Sequence, residues 1–558
     1  MGAATGRFAD PVLRRFARAE TRRREWDAIL SETYRLALPN QDGSGTQARG
    51  GKRDTELFDA TAVRSLKWKR AKLHGDLFPP FRHWTRFLPD RMEAEAMDEA
   101  TARNWRAFVD AAERKFHRAI DRSNFHLEIP LALGDALIST GAVLIQEGTP
   151  EDPLRFEAVP VAQVIPEESP DGTIRTVFRK FEVPGRDIAE RWPDARVPDA
   201  VAERIADDPD LPLAVVEATI WNPVRRLYEY AVILPDGEHR LAEREYLTSP
   251  WVVFRMDKAT GETMGRGPVL DARADIATAN KTKELILKNA SIAVTGIWQA
   301  EDDGVLNPAN VRLVPGAIIP IAPGSKGMTP LEAPGKFDVS QLLLQDLQQN
   351  IEAGIRGPSL PPPEAGTRTA YEIGERRSDQ MAVDVPMSLR LLSELDYPLV
   401  MRCLAILSSP AMAGSAYYIG EFAGPEGRIR PVPVSPLVRC QDIAEAEQRN
   451  QALLLAMQVD AETTLAVVNR ARYVRDFLES HGFKAEHLRG EDEIGGDDAT
   501  EGKAEESPAA ALAPLFRLIG RAAEGGGSPA APALTPAQAG DWLFRDDPEG
   551  TEAVDVPS

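Results

Sequence analysis

Apolar residues along the chain fall into three textures. In the first they recur every three or four positions. Phe8, Val12, Phe16, Trp26, Ile29, Leu30 and Leu36 share one face and predict a helix over residues 8–36. Residues 59–77 predict a second helix, which Pro79-Pro80 must stop. Residues 93–147, ending in the apolar run IPLALGDALISTGAVLIQ, are expected to be mostly helical, with a turn near Asn124. The second texture occupies residues 155–255. There LRFEAVPV, TIRTVFRKFEV, VVEATIW, RLYEYAVIL and SPWVVFRM alternate with turn signals such as Pro170-Asp171-Gly172 and Pro235-Asp236-Gly237. With GRDIAERWP as a short helix between two of them, this stretch predicts an α+β domain. The third texture begins beyond Gly490, where Asp, Glu, Ala, Pro and Gly leave too little apolar surface for independent folding. One exception, AAALAPLFRLIGRAA, has the pattern of a short amphipathic helix.

The rest of the chain is organised around residues 265–379. Ile276, Ala279, Ile286, Ala290 and Ala293 recur at helical spacing, while Lys281, Lys283 and Lys288 occupy other faces. Helical from Asp271 to Thr295, this segment spans roughly 37 Å at 1.5 Å per residue. A β-prone insert broken by Pro and Gly follows, up to Pro334. A second helix then starts with Asp338 as N-cap and Gln341 in capping-box position. Val339, Leu343, Leu347 and Ile351 form its apolar stripe, and Gly357-Pro358 ends it. The loop 358–368 holds four prolines and is expected to be exposed and semi-rigid. Residues 369–407 return to a helical pattern that Pro386 and Pro398 must kink. A β-like segment over 417–434 and a helical pair over 442–481 complete an α+β chain that is predominantly helical.

Length and charge narrow the classes. At 558 residues the chain exceeds a single core, so several domains are expected. Of the net charge of −20, residues 490–558 carry −11, whereas residues 49–86 carry +6. Overall acidity argues against a tight, static DNA binder. Two cysteines, Cys403 and Cys440, suit a reducing compartment. No leader pattern opens the chain, and the longest uncharged run, residues 403–420, is interrupted by Pro410 and Gly414 and predicts a helix end rather than a membrane span.

Catalytic chemistry finds little support. The loop NQDGSGTQARGGKR fails as a phosphate-binding loop: Gly45 lies one residue too far from Gly51-Lys52, and Arg53 stands where Ser or Thr belongs. Phe78, Phe81, Trp84 and Phe87, mixed with Arg82, His83 and Arg86, suit a hydrophobic corner between helices better than base stacking. The seven histidines show no pairing with a carboxylate or with each other at metal-ligand spacing. No metal site, no cofactor and no enzymatic activity are expected.

The order of several segments is informative. LFDATAVRSLKWKRAKLHGDLFPPFRHW is followed by MGRGPVLDARADIATANKTKEL, TRTAYEIGERR, LLSELDYPLVMRCLAIL and NRARYVRDFLESHGFKAEHLRGEDEI. Over residues 20–495 this colinear set resembles the head-to-tail connector, or portal, proteins of short-tailed (podoviral) bacteriophages. The resemblance implies a homo-oligomeric ring, generally of twelve subunits, at one capsid vertex of the virion, assembled in the host cytoplasm. It implies double-stranded DNA passing through the ring, and contacts with a terminase packaging motor, a tail adaptor, and capsid and scaffolding proteins, without a membrane. Residues 1–264 would form the wing, 265–295 and 338–356 the stem helices, 296–337 the clip and 357–370 the tunnel loop. Residues 371–439 would be a kinked wing helix with return strands, 440–520 the crown and 521–558 a flexible acidic tail. Candidate DNA-facing cations are then Arg356, Arg368, Arg376, Arg377, Lys281, Lys283 and Lys288, each with an inter-subunit salt bridge as the competing role. The alternative assembly is a non-annular head–tail adaptor or minor head protein.

Overall fold

The computed structural model describes residues 8–41, 56–89, 99–295, 298–300, 328–330, 337–357, 387–420 and 429–436, with scattered positions from 438 to 478. Two units separate. One comprises Met1–Pro361 with Asp379–Phe483; the other, Pro362–Ser378 with Lys484–Ser558, lies wholly outside the described residues. The proline-rich loop, the amphipathic segment 509–523, the acidic tail and most of the pair at 442–481 also lie outside them.

Two helices stand where one was expected over residues 8–36: α1 (Pro11–Arg24) and α2 (Asp27–Ala37). Asp10 caps α1 by accepting the Val12 amide at 2.7 Å, and Pro11 opens the first turn. The bend at Glu25-Trp26 lets one apolar stripe serve two cores. Leu13 and Phe16 pack with Phe178 and Val216, while Leu30, Tyr34 and Leu36 enter the main core.

Helix α3 (Thr61–Leu77) stops before Pro79 as expected. The aromatics that follow form the expected corner: Phe78, Trp84 and Phe87 are buried, with the Phe78 and Trp84 rings edge-on at 4.8 Å. Phe81 alone of the four is exposed. Strand β1 (Thr85–Pro89) then leads to α4 (Glu99–Arg122) and α5 (Phe125–Ile138), with the turn near Asn124 in place.

The expectation of helix through residue 147 fails at Thr140. From there to Glu147 the chain is strand β2, the centre of a three-stranded sheet ordered β3-β2-β9, with β3 at Leu154–Ala158 and β9 at Trp251–Arg255. Its first six residues are buried, as a central strand requires. Gly141 permits the packing: a β-carbon there would lie 2.5 Å from the Ala132 carbonyl oxygen and from the Phe254 ring.

Between β3 and β9 runs a five-stranded antiparallel meander: β4 (Val164–Glu168), β5 (Ile174–Pro184), β6 (Pro212–Asn222), β7 (Leu227–Leu234) and β8 (His239–Tyr246). Alternation divides its side chains between two layers. Val216 and Ala218 face α1. Val215 and Val232 face Ile188, Trp192 and the helix α6 (Asp199–Asp207). Strands β4 and β8 and helix α6 were not among the expected elements.

Downstream come α7 (Arg273–Thr295), the short strands β10 (Trp298–Ala300) and β11 (Met328–Pro330), and α8 (Phe337–Arg356). Helix α8 begins one residue before Asp338, which therefore lies inside the first turn rather than at the cap. Residues 387–391 are helical, a π-turn spans Leu392–Asp396, and α9 covers Tyr397–Leu407. The kink expected at Pro398 takes this form. Pro398 cannot donate a hydrogen bond, and its ring crowds the carbonyl four residues back, so the preceding turn widens and Tyr397 donates to Leu392. Finally β12 (Ile429–Pro433) pairs antiparallel with β1. The architecture is mixed α+β with helices predominating among the described residues.

Candidate functional site

The helical pair α7–α8 is the feature around which the site is built. The two run antiparallel: Gly354, near the end of α8, sits beside Ala272 at the start of α7, while β10 and β11 pair antiparallel at the far end. Ile276 and Ala279 of α7 are buried with Leu347, Ile351 and Ile355 of α8 in the main core. Of the expected stripe of α8, Leu347 and Ile351 are buried and Leu343 is not. Leu342 and Leu343 are 69% and 49% exposed, and Leu285 and Leu287 of α7 are each 50% exposed.

A buried carboxylate ties the pair to the body. Asp59, 5% exposed, precedes α3 and accepts hydrogen bonds from Gln348 Nε2 of α8 at 2.9 Å and Lys283 Nζ of α7 at 3.3 Å. Asn280 of α7 answers by accepting the main-chain amides of Phe58 and Asp59 at 2.9 and 3.0 Å. Lys283 is therefore held by Asp59 within its own chain.

The other described candidates are also engaged inside the chain. Glu284 takes hydrogen bonds from Lys288 at 2.5 Å and Lys281 at 3.0 Å. These bonds, Lys288 first, hold the Glu284 carboxyl below its usual range. Both lysines remain well exposed, and the trio carries one net positive charge along α7. Beside them Arg35, Glu56, Phe58 and Asn280 line an open cleft of about 440 Å³. Arg356 lies 3.5 Å from Glu352 and 5.7 Å from the centre of the Trp68 ring. Lys69, nearly buried, donates to the Arg356 carbonyl at 3.4 Å and places a cation at the C-terminus of α8. Gly357, at φ +91°, closes that end in the left-handed conformation a helix stop favours. Arg368, Arg376 and Arg377 lie outside the described residues.

Residues 9–488 match the family model described as bacteriophage head to tail connecting protein. The chain belongs to that family. It is a structural component of the phage head–tail junction, and the match runs through both helices of the pair and the α+β domain. No curated protein matches the connector. Among solved structures, it is similar to a chain from the virion of a native gene transfer agent particle, at 12% identity, with 79% of this chain and 90% of that chain covered and a TM-score of 0.32. A second, from the neck of an empty gene transfer agent particle, has 13% identity, covers 74% and 88%, and has a TM-score of 0.31. No helix among the described residues of the connector is long and apolar enough to cross a membrane.

One grouping corrects the reading of the histidines as unpaired. His83 Nδ1 lies 2.9 Å from Glu113 Oε1, and the His83 ring stacks on His117 at 4.2 Å. His74 and His126 also meet, at 3.1 Å. The signal for the first cluster was present in ERKFH, where Glu113 and His117 lie four apart on α4 and so share a face.

Proposed function

We propose that this connector is the portal of a short-tailed phage: a ring, expected to be of twelve subunits, through which double-stranded DNA is packaged and ejected. The observation that carries the reading is the antiparallel pair α7–α8. Its base is buried in the main core, while leucines at 285, 287, 342 and 343 stay exposed further along. A monomer gains nothing from four exposed leucines on two adjacent helices, whereas a ring buries them against the next copy. In this reading α7 and α8 are the stem, the segment between them is the clip, the α+β domain belongs to the wing, and residues 357–370 are the tunnel loop. Residues 440–520 are assigned to the crown. A terminase motor and then a tail adaptor dock on the ring, and capsid and scaffolding proteins surround it.

The charge arrangement supports passage rather than capture. Each phosphate neutralised adds salt-sensitive affinity and hence friction. Pairing Lys281 and Lys288 with Glu284, and Lys283 with Asp59, leaves α7 only weakly positive. Arg356, Arg368, Arg376 and Arg377 are assigned to the loop end of the same channel.

Electron microscopy of the purified protein tests the assembly. Annular particles with a central hole are expected, and Leu342→Glu should shift them towards monomer without unfolding the chain. A wild-type particle without a ring overturns the portal reading in favour of a non-annular adaptor.

A further inference from the structure

We propose that His83, Glu113 and His117 form a binding site for one divalent zinc-type metal ion per subunit. Their ligand atoms lie within 4.8 Å of one another. They come from two elements, the segment entering β1 and the middle of α4, so a shared ion fastens one to the other.

The surroundings match what metal ligation needs. His117 is buried, and its Nε2 donates to the Thr85 carbonyl at 3.0 Å. That bond fixes the tautomer and leaves the lone pair on Nδ1, the arrangement that usually orients a metal-bound imidazole. The Glu113 carboxylate is likewise oriented from behind, since its Oε2 accepts the Phe87 amide at 3.1 Å while Oε1 faces His83. His83 is half-exposed, held by Glu113 on one side and the His117 ring on the other. The two imidazole planes lie 12° apart and stacked, so their in-plane lone pairs do not converge as they stand, and binding one ion turns the half-exposed His83 ring out of the stack. Two imidazoles and one carboxylate favour zinc over magnesium or calcium, and water completes the coordination.

The test uses tag-free, full-length protein stripped with chelator and titrated with zinc sulfate alone. Calorimetry should find one zinc per chain, and the melting temperature should rise on loading. His83→Ala alters a half-exposed position and should fold normally, yet bind zinc at least about tenfold more weakly. Glu113→Gln keeps an acceptor for the Phe87 amide and should show the same loss. Cobalt loaded in place of zinc should give visible bands of low-coordinate intensity that disappear in His83→Ala. The site is overturned if wild type takes up no zinc, or if both variants take it up as wild type does.

Discussion

Asp135 shows how one residue sets the response to pH. It lies fully buried on α5, its Oδ1 accepting the Tyr34 hydroxyl at 2.8 Å, and burial pushes its carboxyl up to about 7. In the unfolded chain the same group ionises near pH 4. Between those values the folded state holds a proton that the unfolded state has released, so stability falls as pH rises through about 7. Lowering the pH from 8 to 6 should therefore raise the melting temperature. Asp135→Asn keeps a partner for Tyr34 and should flatten that rise. Asp396, pushed up to about 7 by burial alone, contributes in the same direction, so Asp135→Asn with Asp396→Asn should flatten it further. Differential scanning calorimetry at the two pH values measures both effects. Neither carboxyl was legible in the sequence, because an acidic residue in an apolar run has the same letters whether its side chain is capped, solvated or buried.

At the scale of elements, periodicity located most helices and strands and failed where two states share a composition. IPLALGDALISTGAVLIQ is apolar apart from Asp135, Ser139, Thr140 and Gln146, and nothing in its spacing separates a buried helix from a buried strand. The division at Ser139 is set by tertiary contact, through the close approach of Gly141 to Ala132 and Phe254. Gly141→Ala should consequently destabilise the protein by about 1–3 kcal/mol or more through overpacking, measured by denaturant unfolding. Helices α7 and α8 were legible because their stripes are long and punctuated by Gly and Pro. Which half of each stripe is buried was not, since Leu343 and Leu347 differ only in what lies opposite them. The His83–Glu113–His117 cluster was half legible. Helical spacing joins Glu113 to His117, but His83 reaches them only through the corner that Phe78 and Trp84 build.

Across the whole molecule, Arg255 links segments remote in sequence. Its guanidinium is inaccessible to solvent and bonds Glu394 in the π-turn at 2.7 Å, Glu168 of β4 at 3.3 Å and the Gly172 carbonyl at 3.2 Å. Glu168 in turn holds Lys258. The partners lie 139 and 87 positions away along the chain, so no local pattern announces them. The distortion at Pro398 has a use here, because the widened turn contains the carboxylate that meets Arg255. Removing one partner of a buried ion pair strands the other charge, which typically costs about 3–5 kcal/mol. Glu394→Ala should lower the denaturant midpoint accordingly, while Glu394→Gln, which can still accept two of the hydrogen bonds, should lower it less.

The joint between the helical pair and the body has a mechanical consequence. Gly265 and Gly267 press main chain against main chain: the Gly267 amide donates to the Ile138 carbonyl at 3.1 Å, and Ser139 Oγ donates to the Gly265 carbonyl at 2.8 Å. A β-carbon on Gly267 would fall 2.0 Å from the Leu137 carbonyl oxygen, so no side chain fits between the two surfaces. Side chains act as springs in most joints, yielding by changing rotamer; between Gly267 and the end of α5 there is none to yield. At that point the entry to the pair meets the end of α5 main chain to main chain, a weld rather than a hinge.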